Sequence, residues 1–189
     1  IFFSFGNNFR ASREKSSSIT RRTFVKWKVH NFPISESHIF QMYSLDNTYS
    51  DTELETWFNR IVKLIQVDDF EFCCELKYDG ASVNLLYEDG QLVRALTRGD
   101  GYQGDNITNN LKTINSIPLK LKNKFFPNKF EIRGEIIIPS DAFNSLNEKR
   151  KQIGLTLFMN PRNTASGSIK LLDSKEVARR PLECFLYSV

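Results

Sequence analysis

The apolar positions from Ser50 onward recur at helical spacing. In "SDTELETWFNRIVKLIQ", Leu54, Trp57, Phe58, Ile61, Val62 and Ile65 share one side, behind a Ser50–Glu53 capping box, so a helix is predicted. The period then changes to two. A strand is predicted over about 70–77 and another over "ASVNLLY" (81–87). The turn Glu88-Asp89-Gly90-Gln91 returns the chain into "QLVRALT" as a hairpin. "RGDGYQGD" reads as a loop, with Asp105 expected to cap a short helix in "NITNNLKTI". "KFEIRGEIIIP" is again strand-like. Ser140 is expected to cap the helix "DAFNSLNEKRKQI" and Gly154 to end it. A loop at "NPRN" leads to another short helix, and "LECFLYSV" closes as a strand. Antiparallel strands interleaved with helices make the expected fold class α+β.

Composition narrows this picture modestly. The 189 residues suffice for one good core, and 40% hydrophobic with 25% charged residues is ordinary for a globular chain. A net charge of +4 permits nucleic-acid contact without demanding it. No apolar run reaches the length of a membrane span, so a soluble protein with no membrane partner is expected. Cys73, Cys74 and Cys184 show neither CxxC nor His-paired spacing. That argues against structural zinc or a disulfide framework, and a cytoplasmic location is expected. Residues 1–40 stand apart. "FRASREKSSSITRRTFVKWKV" is basic and Ser-rich with Glu14 its single acid. It has the composition of an organelle transit peptide, although a flexible basic arm or linker is the simpler expectation. The chain is accordingly divided into this segment and a domain over 41–189.

The candidate chemistry centres on "ELKYDG", residues 75–80. Strand alternation would put Phe72, Cys74 and Leu76 toward the core and Cys73, Glu75 and Lys77 on the other face, with Asp79 close beyond. In the strand at 130–138, Phe130, Ile132, Gly134, Ile136 and Ile138 oppose Glu131, Arg133 and Glu135, and Arg98 ends a third strand. Alternation alone describes a sheet with one wet face equally well. The pattern K-x-D-G arises by chance in roughly a few per cent of chains this long.

Four further stretches add specificity: "MYSLDNTYSD" before the lysine, then "TRGDG", "EIRGE" and "NPRNTASGS" after it. In this order, with "ELKYDG", they resemble the nucleotidyltransferase (adenylation) domain of the bacterial NAD-dependent DNA ligases. The resemblance runs from about Met42 to Val189. It implies an α+β nucleotidyltransferase domain of the DNA ligase/ATP-grasp-like kind, antiparallel sheets with flanking helices, truncated at the C-terminus.

It also implies a reaction. The lysine matching Lys77 attacks the α-phosphate of NAD, expels nicotinamide mononucleotide and holds AMP through a phosphoramidate bond. AMP passes to the 5′-phosphate of nicked double-stranded DNA, and the 3′-hydroxyl displaces it to seal the nick, in DNA replication and repair. An amine with an ordinary pKa of about 10.4 must first lose its proton. A nearby cation such as Arg98, or bound magnesium, favours that, while Glu75 and Asp79 oppose it. By the same resemblance Glu75 reads the adenine, Arg98 and Glu135 line the sugar–phosphate region, and Ser44 and Leu45 complete the pocket. Asp79 contacts the ribose or a metal-bound water, and Gly80 lets the backbone turn tightly beside the nucleotide. The cofactors implied are NAD and magnesium, or manganese in its place, with no side chain assigned as a metal ligand. Arg162 and Lys170 are implied to grip phosphates of the nicked duplex, Lys170 standing where many members carry Arg. A monomer is expected.

The departures carry expectations too. The family's small Tyr- and Asp-rich N-terminal domain is not recognisable in residues 1–40, and no later D-G-V-V-x-K strand, OB-fold, zinc finger, helix-hairpin-helix or BRCT region is found. A partial adenylation domain, weak or inactive by itself, is therefore expected. The alternatives are an ATP- or GTP-using lysine nucleotidyltransferase, or a non-catalytic nucleic-acid-binding remnant.

Overall fold

A computed structural model describes residues 34–43, 47–65, 75–122 and 126–188. Most of the basic segment assigned to 1–40, with Ser44, Leu45 and the Phe72–Cys74 part of the first predicted strand, lies outside the described residues.

The predicted hairpin forms the centre of the architecture. β2 (Ala81–Glu88) and β3 (Gln91–Thr97) are joined through Asp89 and Gly90, with φ of 48° and 74°. Positive φ at both central residues is what a tight, right-twisted two-residue turn requires. β5 (Lys129–Ile137) pairs antiparallel with the other edge of β2, and β6 (Glu183–Ser188) pairs with β5, so the sheet order is β3-β2-β5-β6. A second, two-stranded sheet joins β1 (Ser35–Ser37) to β4 (Gln103–Asp105). Periodicity signalled neither short strand.

One face of the large sheet is apolar. Val83, Leu85 and Tyr87 of β2, Ala95 of β3 and Ile136 of β5 are almost wholly buried. They form one core with Ile107, Leu111, Ile169 and Val177, each fully buried Leu, Ile or Val contributing roughly 1.5–3 kcal/mol. The covering helices are α2 (Thr108–Leu111), α4 (Pro161–Ile169) and α5 (Ser174–Ala178). Tyr87 turns its hydroxyl to the Pro118 carbonyl at 2.7 Å, so its polar end is paired.

The opposite face was expected to be wet. Instead the segment 36–42 lies across it as a strap. Glu131 accepts from the backbone N–H groups of Ile39 and Phe40 and pairs with Arg94. Arg94 also pairs with Glu36, and Arg133 donates to the Gln41 carbonyl. Charges that alternation would leave in water are thus half- to fully buried because the strap supplies their partners.

Several local expectations change for similar reasons. Residues 75–79 carry no strand pairing, and Leu76 is 78% exposed rather than core. α2 starts at Ile107 without a side-chain cap; Asn106 Oδ1, one residue earlier, accepts from Thr108 N at 3.0 Å, and Asp105 does not cap it. α3 (Ser140–Gln152) already includes Ser140 and starts at Pro139 without a side-chain cap. Gly154, at φ 70°, ends it as expected. "NPRN" is not a loop but the start of α4: Asn160 Oδ1 accepts from Asn163 N at 2.7 Å, and Pro161 takes the first helical position. α1 (Asp51–Ile65) has half of its capping box as drawn. Ser50 Oγ accepts from Glu53 N, but the Glu53 carboxylate reaches Tyr49 N rather than Ser50 N. Among the described residues no helix is long and apolar enough to cross a membrane.

Candidate active site

Glu135 organises the region ahead of β2. It sits on β5 directly opposite Ser82, only 9% exposed. Its two carboxylate oxygens accept from Gly80 N at 3.1 Å and Ser82 Oγ at 2.7 Å. A buried carboxylate that is bonded at both oxygens can hold its charge in a rigid position. Gly80 is required for space rather than for φ: a β-carbon there would collide with the backbone carbonyl of Ile136. Tyr78 stacks on Phe185 of β6, ring centroids 4.1 Å apart. Together these contacts anchor 78–80 to the sheet, while Lys77 beside them stays exposed.

The result is a cavity of about 240 Å³. Glu75, Lys77, Arg98 and Glu135 all line it, so four residues spread over sixty positions converge. Asp79 and Gly80 do not line it. Asp79 pairs with Arg162 and faces a neighbouring depression that also includes Asn160 and Asn163. Gly80 borders a third, of about 250 Å³, where Arg98, Arg162, Asn163 and Lys170 meet. Arg162 belongs to all three hollows. Lys170 pairs with Asp105 Oδ2 at 2.8 Å.

Six cavity residues were not among the candidates from the sequence: Met42, Tyr43, Leu76, Tyr78, Ser82 and Tyr187. Met42 is buried and held by its N–H to the Gly101 carbonyl at 2.9 Å. Tyr187 lies on β6, its phenol raised above the ordinary range by burial and by the charge of Glu135. Alternation along "LECFLYSV" separates Tyr187 from Cys184, but only the β5–β6 register brings it beside Glu135. Asp100, in the turn after Arg98, is held below the ordinary carboxylate range by the N–H groups of Gln103 and Tyr102. Among the described residues no three His, Cys, Asp or Glu side chains converge as a ready-made cation cage.

Residues 30–189 match the family described as the NAD-dependent DNA ligase adenylation domain. The chain belongs to this family. It is 59% identical over 152 residues to a DNA ligase of Flavobacterium psychrophilum, covering 80% of this chain and 23% of that protein. A DNA ligase of Christiangramia forsetii is likewise 59% identical over 152 residues, with the same coverage. One of Cytophaga hutchinsonii is 46% identical over 155 residues, 82% of this chain and 23% of that protein. The chain thus spans about 23% of the length of the curated relatives it matches. Its antiparallel sheets and flanking helices are the α+β architecture of an adenylation domain.

Proposed function

We propose that this chain carries the enzyme-adenylation step of NAD-dependent DNA nick sealing, with Lys77 as the nucleophile. The observation that carries the reading is the shared cavity, in which an exposed amine, Lys77, stands with Arg98 and the doubly bonded Glu135. The unprotonated Nζ attacks the α-phosphorus of NAD. A P–N bond forms, the bond to the bridging oxygen breaks, nicotinamide mononucleotide leaves with that oxygen, and the nitrogen releases one proton to solvent. Arg98 supplies positive charge beside the phosphates. Glu75 offers hydrogen-bond acceptors to the adenine, and the Tyr187 ring an apolar surface for a base. Glu135 lines the ribose side and keeps Gly80 and Ser82 in place. Asp79 keeps a contact to ribose or to metal-bound water, and Ser44 and Leu45 complete the pocket. Magnesium, or manganese in its place, would be held chiefly by phosphate oxygens and water, and when bound it neutralises phosphate charge. Arg162 and Lys170 grip the phosphates of nicked double-stranded DNA, supported by their meeting around one hollow beside the cavity. A monomer in the cytoplasm goes with this reading, Cys184 being a buried free thiol.

The deciding test is an intact-mass spectrum after incubation with NAD and magnesium, with ATP in a parallel tube. One added AMP from NAD alone is expected, absent in Lys77→Ala, which keeps its fold because the side chain is exposed. The yield is expected to be low for these 189 residues, since an exposed site in high dielectric stabilises phosphoryl charge weakly. AMP gained from ATP instead would move the chain to the ATP-using nucleotidyltransferases. No AMP from either, with salt-sensitive DNA binding, would make it a binding remnant.

A further inference from the structure

Arg98 stands one residue beyond the end of β3, at the start of a turn closed by Asp100 Oδ1, which accepts from Tyr102 N and Gln103 N at 2.9 Å. Gly99 and Gly101 hold φ of 57° and 95°, and neither has a side chain to pack. One backbone bond ties Arg98 to the sheet, its N–H donating to the Ser82 carbonyl of β2 at 3.2 Å. The strap adds a hold on its carbonyl. His38 Nε2 lies 3.1 Å from the Arg98 carbonyl, which also accepts from Gly101 N at 3.0 Å. On the other side of the ring, Nδ1 lies 3.2 Å from Asn84 Nδ2. Asn84 is buried in the middle of β2 on the polar face, 3% exposed. The strap is tied to the same turn again by His38 N to the Tyr102 carbonyl and Met42 N to the Gly101 carbonyl, each 2.9 Å.

The carbonyl partner places a proton on Nε2. A carbonyl can only accept, so Nε2 carries the proton. With Asn84 Nδ2 facing it, Nδ1 accepts and the amide donates, which leaves Asn84 Oδ1 buried without a partner among the described residues. The ring is a strut between β2 and the turn that follows β3.

We propose that His38, as the Nε2–H tautomer, is a positioning residue that holds Arg98 at the nucleotide cavity. This rests on the reading of Arg98 as a nucleotide-facing residue. Nothing in the alternation of the sequence separates His38 from the basic segment before it; the role emerges from the strap.

The test uses the full chain. AMP attachment is followed by intact mass across NAD concentrations for wild type, His38→Leu and His38→Gln. His38→Leu keeps bulk but removes both ring bonds, and is expected to slow attachment about tenfold with the half-saturating NAD concentration changed less than about twofold. His38→Gln, whose amide can still donate to the Arg98 carbonyl, is expected to stay within about threefold of wild type. Equal rates for His38→Leu and wild type would overturn the inference while leaving the adenylation reading intact. A second arm needs no activity. The chain has only two histidines, so ¹H–¹⁵N spectra with His38→Gln as reference separate His38 from His30. In mildly alkaline buffer His38 is expected as the Nε2–H tautomer, and the Arg98 amide resonance is expected to move in His38→Leu. An Nδ1–H ring, or an unmoved Arg98 amide, sinks the proposal even if wild type attaches no AMP, the result that would instead defeat the functional reading.

Discussion

Gly80 shows how narrow the tolerance is at single positions. The space for its missing β-carbon is taken by a backbone carbonyl of β5, which no rotamer change can move. Gly80→Ala is therefore expected to cost about 1–3 kcal/mol by overpacking. Urea unfolding should show it as a lower midpoint at unchanged slope, together with a weakened Gly80–Glu135 bond. Cys184 is a residue of the opposite kind, packed into the core and chemically quiet. Burial first, and the charge of Glu135 second, push its thiol from the ordinary 9.0 up to about 12. Burial likewise pushes the Tyr87 phenol from 10.0 to about 12. In both cases the folded value is raised, so the unfolded chain ionises first. Their contribution to stability is complete below about pH 9 and is lost as pH rises through 12. The thermal midpoint should fall over that window. At pH near 8, peptide mapping after alkylation should find Cys184 largely unmodified in the folded protein; rapid labelling there would contradict its burial.

At the scale of elements, α4 carries the most consequence for its length. Asn160 closes its N-terminus and Pro161 presets the first turn. Thr164, Ala165, Ser168 and Ile169 bury one side against the sheet. This orientation leaves Arg162 and Lys170 at the two ends of the helix, both facing the hollow next to Arg98. Asn160→Ala is expected to lose about 1 kcal/mol of stability, with faster amide exchange confined to the first turn of α4. Loss of protection spread over the whole sheet would show that the cap does more than end a helix. The strap is the second decisive element. It is held through backbone groups that receive or donate to Glu131, Arg133 and the turn at 101–102. These backbone bonds are indifferent to side-chain identity, and the side chains of Glu36 and His38 add contacts to Arg94 and to the Arg98 carbonyl.

At the scale of the whole molecule, a net charge of +4 gives only a mild general attraction to nucleic acid. The proposed grip on DNA then depends on where cations sit. Arg162 and Lys170 are each engaged by a carboxylate, Asp79 and Asp105, in exposed pairs of the sort that contribute little to stability. Phosphates can exchange for those carboxylates at small cost. Arg162→Ala should weaken binding to nicked duplex about equally for unrelated sequences and reduce the salt slope by about one. Fluorescence anisotropy over a salt series measures both. A loss that differed between sequences would mean that Arg162 reads bases.

The larger elements were legible in the sequence because they depend on local pattern. A two-residue period with an Asp-Gly turn specifies the β2–β3 hairpin wherever the chain goes next, and Gly154 ends a helix through its own φ. The ordered motifs likewise marked Glu75, Lys77, Arg98 and Glu135, which the fold gathers into one cavity. Tertiary structure alone decided the rest. Leu76 is exposed because residues 75–79 leave the sheet, and an alternating pattern is silent on whether pairing occurs. Asp79 pairs with Arg162 without lining the Lys77 cavity, and Tyr187, at the register shift between β5 and β6, does line it. The polar face is buried rather than wet because a distant segment bonds to it through its backbone. Such partners lie 46 to 92 positions away, and hydrogen bonds between residues so far apart leave no periodic mark on either stretch of chain.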